Sequence, residues 1–153
     1  MTELSKEALN FLDKSMGKKI VFTNGCFDIL HKGHVTYLNQ AKEQGELLFI
    51  GLNSDESVRQ LKGEGRPVND EESRKFILEN LRSVDFVEVF HEDTPLELIK
   101  KVKPNVLVKG GDWEIEHIVG SDFVLSLGGE VKSLSFVEGH STTSLIESVQ
   151  GKK

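Results

Sequence analysis

Five short apolar runs punctuate the chain, at 19–23, 47–52, 86–90, 106–108 and 131–134. Between and after them lie stretches patterned for helices, at 33–43, 55–60, 70–81, 95–102, 118–127 and 142–149. Strands separated by helices are joined by crossovers rather than hairpins, so they pair in parallel. Right-handed crossovers then put helices on both faces of one sheet. The expectation is an α/β, Rossmann-like fold: a doubly wound, parallel five-stranded sheet. Ligands of such sheets sit outside the carboxyl ends of the strands. Polar and glycine clusters should therefore follow strands, and several do. Residues 24–34 follow the first, Asn53-Ser54-Asp55 the second, Lys109-Gly110-Gly111-Asp112 the fourth, and Glu138-Gly139-His140-Ser141-Thr142-Thr143 the fifth.

With 153 residues the chain is long enough for one ordinary hydrophobic core. Its formal charge of −6 argues against a general nucleic-acid binder, which needs a basic field. A few local cations would still suffice for a small anionic ligand. Cys26 is the single cysteine, so no internal disulfide is possible, and a cytoplasmic setting fits. No apolar leader or membrane span is expected in the charged N-terminus, and no membrane partner. Residues 1–17 read as an amphipathic helix or linker, with Leu4, Ala8, Leu9, Phe11 and Leu12 as its apolar face and Gly17 as its stop. The domain proper is expected over 18–150.

The densest chemistry lies in Asn24-Gly25-Cys26-Phe27-Asp28-Ile29-Leu30-His31-Lys32-Gly33-His34. Asn24 and Gly25 are small enough to let a ligand approach the strand end. His31 and His34, at i and i+3, share one side of the first helical turn, with Gly33 bare between them. Helix N-termini attract phosphate, and imidazole N–H groups add donors aimed at the same anion. Binding and chemistry on a phosphoanhydride uses all of these features. An attacking phosphate is already an anion and needs no strong base, so the histidines suit donation of hydrogen bonds. A zinc pair with Cys26 as third ligand and a purely structural pair are the alternatives, and Cys26 as nucleophile is another. The loop Lys62-Gly63-Glu64-Gly65-Arg66-Pro67-Val68-Asn69 carries two cations on an irregular segment, which suits a lid over phosphates or simply a solvated loop. Asp28 could contact a metal or anchor its loop. Asp112 could touch ribose or cap a turn, and Trp113 could line a pocket or plug the sheet end. Phe76, Ile77 and Leu81 have core spacing on the helical stretch 70–81, whose run 71–79 is otherwise a solvated face.

The run Gly25-Cys26-Phe27-Asp28 followed by His31-Lys32-Gly33-His34 resembles the H-x-G-H signature of the cytidylyltransferase-like nucleotidyltransferases. The turn Ser141-Thr142-Thr143 resembles their second signature, at the start of the last helix. Within that superfamily, 18–149 is similar to the heptose 1-phosphate adenylyltransferase domain, through 24–34, 61–69, 108–113 and 138–143. The resemblance implies transfer of AMP from ATP to a sugar 1-phosphate, with release of pyrophosphate and formation of ADP-heptose for lipopolysaccharide-type precursors. It implies magnesium carried by the triphosphate and a homodimer. It casts His31, His34, Lys62 and Thr143 as catalytic. Asn24, Gly25, Cys26, Phe27, Gly33, Lys109, Gly110, Asp112, Ser141 and Thr142 would bind nucleotide. Arg74 would face the acceptor phosphate. Arg66, beside the lysine loop, and Asp28 and Trp113 are placed with it as acceptor contacts from their own positions in the sequence, and no protein metal site is expected. Glycerol-phosphate cytidylyltransferases of the superfamily carry an arginine shortly before the last turn. Ser135-Phe136-Val137 stands there instead, which weakens a CTP reading. A CTP-using enzyme acting on an alcohol phosphate, and a nucleotide-binding module without turnover, remain the rival expectations.

Overall fold

The computed structural model describes residues 3–135, 146, 149 and 150. The turn 141–143 and most of the helix expected at 142–149 lie outside the described residues. The described elements run α1 (Lys6–Lys14), β1 (Ile20–Gly25), α2 (Lys32–Lys42), β2 (Leu47–Asn53), α3 (Asp55–Lys62), α4 (Glu71–Glu79) and β3 (Phe86–Phe90). There follow α5 (Leu96–Val102), β4 (Val106–Gly110), a 3-10 turn (Ile115–His117), α6 (Ser121–Ser126) and β5 (Glu130–Leu134). The sheet has the order β3-β2-β1-β4-β5, and every pairing is parallel. This is the doubly wound α/β arrangement expected from the alternation.

Strand periodicity divides the core in two. Val21, Leu48, Ile50 and Leu52 face one side, where Tyr37, Leu38 and Ala41 of α2 and Leu78 of α4 cover them. Ile20, Phe22, Phe49 and Leu107 face the other, under Ala8 of α1, Leu98, Ile99 and Val102 of α5, and Val124 of α6. The crossovers change face because the winding changes direction at β1. From there the chain first adds β2 and β3 on one side, then β4 and β5 on the other.

That reversal also opens the sheet. β1 and β2 pair over six residues, from Ile20–Leu47 to Gly25–Leu52. β1 and β4 pair only at Val21–Val106 and Phe22–Leu107. Beyond Phe22 the two strands continue without a shared ladder, and a crevice forms at their carboxyl ends, at the switch point of the topology.

The N-terminal helix is bound into this framework. Ser5 caps α1 by accepting from the Ala8 N–H. Its own N–H and hydroxyl donate to the buried Glu88 carboxylate at 2.7 and 2.8 Å. Phe11 packs against Phe49 and Phe86, with ring centroids 6.0 and 5.0 Å away.

Three local expectations need correction. Leu9 is exposed, because the face of α1 that meets the sheet is made by Leu4, Ala8, Phe11 and Leu12. Phe76 and Ile77 are also exposed, at 67% and 39%, since α4 turns Arg74 and Leu78 inward instead. The helix expected over 118–127 is shortened to α6, and the 3-10 turn ends just before it. Gly120 breaks it at φ +88°, where a side chain would meet Ile99 at 2.7 Å.

Candidate active site

A cleft of about 670 Å³ opens over the divergent ends of β1 and β4 and extends across β2 to β3. The exit of β1 supplies Asn24, Gly25, Cys26, Phe27 and Asp28, and the start of α2 supplies His31, Gly33 and His34. Lys62 at the end of α3 and Arg66 beyond it form one wall, and Lys109 and Gly110 at the end of β4 form another.

The histidine loop is held by the backbone. His31 is the N-cap of α2, extended at φ −139° and ψ 178°, and its Nδ1 accepts from the Gly33 N–H at 3.1 Å. His34 reaches back, and its Nδ1 accepts from the His31 N–H at 3.3 Å. This is a capping box built from two imidazoles in place of hydroxyl and carboxylate groups. In each neutral ring Nδ1 is an acceptor, so the proton is on Nε2. Burial pushes the His34 pKa down to about 4, and His31, with ring centroids 4.0 Å apart, adds a smaller push. Near neutral pH His34 is therefore an uncharged donor.

Phe27 shapes the same corner. It sits at φ 45°, a left-handed conformation that costs a bulky residue roughly 1–3 kcal/mol. Its ring is buried edge-on to His34 at 5.7 Å. That position requires Gly25, where a Cβ would stand 2.9 Å from the Phe27 ring. Behind the histidines, Tyr37 is bonded to Thr23 at 2.7 Å, and burial pushes its phenol up to about 12.

The cations of the site differ in their commitments. Lys62 is exposed and has no hydrogen-bond or ion-pair partner among the described residues. Lys109 stands 5.3 Å over the Trp113 ring, and burial lowers its ammonium pKa against a smaller opposing pull from Cys26. Arg66 donates from Nε to Asp28 at 3.0 Å. Arg74 is fully buried and gives its guanidinium to protein oxygens: Asn69 O, Cys26 O, Asn53 O and the Asp55 carboxylate, at 2.8–3.0 Å. Burial raises the Cys26 thiol, with smaller lowering pulls from Lys62, Arg74 and Arg66, which favours the inert thiol over a nucleophile.

The structure thus brings most of the sequence-predicted residues to one cleft, but not all. Arg74 lies beneath the lining rather than in it. Trp113 stands outside, with its Nε1 donating to Gly110 O in its own turn, and the exposed Asp112 is likewise not part of the lining. Ser141, Thr142 and Thr143 lie outside the described residues. The sequence reading missed Asn53, Asp93, Thr94, Pro95 and Val119 as lining. Asp93 to Pro95 follow β3, so the rule that polar clusters follow strands could have found them. Among the described residues no group of three or more His, Cys, Asp or Glu side chains is placed to hold a metal ion. No described helix is long and apolar enough to cross a membrane.

The chain is similar to known proteins over most of its length. The chain is 54% identical over 151 residues to the bifunctional protein HldE of Wolinella succinogenes, covering 97% of this chain and 31% of that protein. It is 58% identical over 137 residues to HldE of Geobacter metallireducens, covering 90% and 28%. The chain thus spans about three-tenths of the length of these relatives. The crystal structure of the lipopolysaccharide core biosynthesis protein from Thermoplasma volcanium superposes with a TM-score of 0.64 at 29% identity, over 81% of this chain and all of that one. Pantothenate synthetase of Thermus thermophilus shares the fold at a TM-score of 0.56 and 15% identity, over 85% of this chain and 60% of that one. The cytidylyltransferase-like family model matches residues 22–147, from the middle of β1 past the last described strand, and the chain belongs to that family.

Proposed function

We propose that the chain is an adenylyltransferase that moves AMP from ATP to a sugar 1-phosphate, D-glycero-D-manno-heptose 1-phosphate, releasing pyrophosphate and forming ADP-heptose. The observation that carries this reading is the pair of imidazoles lining the crevice where β1 and β4 part, each with its Nδ1 engaged by a backbone N–H so that Nε2 is left as the donor. The high identity to HldE proteins and the resemblance to heptose 1-phosphate adenylyltransferases support the choice of donor and acceptor.

In the reaction an oxygen of the sugar phosphate attacks the α-phosphorus of ATP. A P–O bond forms, the bond between the α-phosphorus and the bridging oxygen breaks, and pyrophosphate leaves with that electron pair. Negative charge grows on the bridging and equatorial oxygens. Donors already in place there stabilise the transition state more than the ground state. His31 and His34 supply such donors on the triphosphate. Lys62, from the facing wall, would bridge the phosphates of both substrates, and Lys109 with Gly110 would border the nucleoside. Ser141, Thr142 and Thr143 would hold the outer phosphates. Magnesium fits as a passenger of the triphosphate. Of the carboxylates in the described lining, Asp28 is saturated by protein donors and Asp93 is exposed at the rim, so phosphate oxygens and water would be the metal's main ligands. Bound there, the metal would neutralise phosphate charge. We place the enzyme in the cytoplasm, as a homodimer.

Pyrophosphate release tests the proposal. It is expected with ATP and heptose 1-phosphate, and not with CTP and glycerol 3-phosphate. A clear preference for the second pair would replace this reading with a cytidylyltransferase. Nucleotide binding with no product from any acceptor would reduce the protein to a binding module. Sedimentation at assay concentration tests the dimer.

A further inference from the structure

The aspartate of the histidine loop lines the cleft, but its carboxylate is already taken by protein donors. The Asp28 side chain is wholly buried and surrounded by donors from a segment about forty residues away. Its Oδ1 accepts the N–H groups of Val68 and Asn69, each at 2.9 Å. Its Oδ2 accepts from the Val68 N–H at 2.8 Å and from Arg66 Nε at 3.0 Å. The Asp28 carbonyl accepts from the Asn69 side-chain amide at 3.0 Å. On the far side Asn69 O accepts from Arg74, which also holds Cys26 O. Residues 26–28 and 66–69 are therefore joined through buried, charge-assisted bonds. Such bonds are roughly twice as strong as neutral ones.

We propose that Asp28 is a positioning residue: the latch that registers the cationic loop 62–69 against the histidine loop, with Arg66 as one prong. The inference rests on the reading of Lys62 as a phosphate contact. From Asn69 back to Gly63 the described loop is tied chiefly at this end, and both Gly63 and Gly65 have positive φ. Lys62 closes α3 on one side of those glycines, and the latch fixes the other. The spacing between the lysine and the imidazoles is then set by the same carboxylate, before any ligand arrives. A triphosphate entering the cleft meets a preformed pair of walls, and less ordering is left for the binding step.

Two substitutions separate the prongs. Asp28→Asn keeps an oxygen for Val68 and Asn69 but turns an amide N–H toward Arg66 Nε, setting donor against donor. Arg66→Gln removes that prong alone and leaves the backbone bonds. Trypsin cuts after Lys62 report the loop without any substrate, measured by mass spectrometry against cuts after Lys14 and Lys18. Both variants are expected to raise the Lys62 cut about tenfold or more relative to those reference sites, on the scale of one lost charge-assisted bond. The double variant is expected to go no further than the faster single. Acceleration equal at all three sites, alongside a lowered Tm, would mean a generally structural aspartate and would overturn the latch. So would effects that add in the double variant. If Asp28→Asn does not fold, Arg66→Gln carries the test alone. Steady-state assays with ATP and heptose 1-phosphate then read the consequence: kcat is expected to fall about tenfold in either variant. If the wild-type protein releases no pyrophosphate while the latch behaves as described, the functional reading fails and the latch stands. Unchanged kcat with an accelerated Lys62 cut would remove the positioning role.

Discussion

The two walls of the cleft are built on different principles. The histidine wall is local: two imidazoles are aimed by backbone groups two and three residues away, at the start of one helix. The lid wall is distant. Its loop is held by bonds from residues 66, 69 and 74 back to 26, 28 and 53, across separations of up to 48 residues. A local device survives as long as its helix forms, whereas a distant one exists only in the completed fold. The division also sorts the basic residues. Arg74 is spent on the protein, Arg66 is shared between protein and cleft, and Lys62 is offered to a ligand. These three look alike in the sequence.

Arg74→Met should be the most damaging change, and in stability rather than chemistry. It removes a buried cation from three carbonyls and a carboxylate, and breaking such a network costs about 3–5 kcal/mol. Denaturant unfolding should show that loss. A variant of normal stability with a large increase in the acceptor KM would instead return Arg74 to the acceptor site. On the other wall, His34→Gln should leave stability nearly intact, because glutamine at the third helical position can still reach the His31 N–H. Its turnover should nevertheless fall about a hundred- to a thousandfold, the scale of one lost transition-state donor. Recovery of turnover in His34→Gln but not His34→Ala would make the ring a cap and nothing more.

The same contrast explains what could be read in advance. Strand positions followed from alternation and apolar runs, because each depends on a handful of neighbours. The pairing of His31 with His34 followed from helix spacing, and their common position at a strand end from the winding rule. The inward turn of Arg74 and the outward turn of Phe76 did not follow. Both sit on α4 at spacings compatible with core or surface, and the choice was made by carbonyls at the ends of β1 and β2. Asp28 was legible as a loop anchor, but its partners at 66–69 were not, since nothing local couples the segments. Trp113 was left open between pocket and plug for a similar reason: its indole donates to Gly110 within its own turn, and it is not among the residues lining the cleft.

Lys62→Ala probes the offered cation. The side chain is exposed, so stability should hold, while kcat/KM for ATP and for the acceptor should each fall about ten- to a hundredfold, the scale of one bond to a charged group. A loss confined to one substrate would place the lysine on that substrate alone. Unchanged kinetics would leave the lid wall without a ligand contact of this kind and the comparison with the histidine wall would lose its functional half.

The smallest expected effect is a titration. Protonation of His34 would place a second proton on Nδ1, facing the His31 N–H that it now accepts, and would put a charge in a half-buried ring. Folding therefore holds its pKa near 4, while in the unfolded chain it returns to the ordinary histidine value of about 6.5. Between these values the unfolded state binds the extra proton and the native state does not. This contribution to stability is complete above pH 6.5 and is lost as pH falls toward 4. The imidazole carbon–proton resonances of His34, assigned by comparison with His34→Gln, should stay unprotonated through pH 6 and move only near 4. Movement centred near 6.5 would show that the two-imidazole cap does not hold in solution. The histidine wall would then be as dependent on its ligand as the lid wall is on its latch.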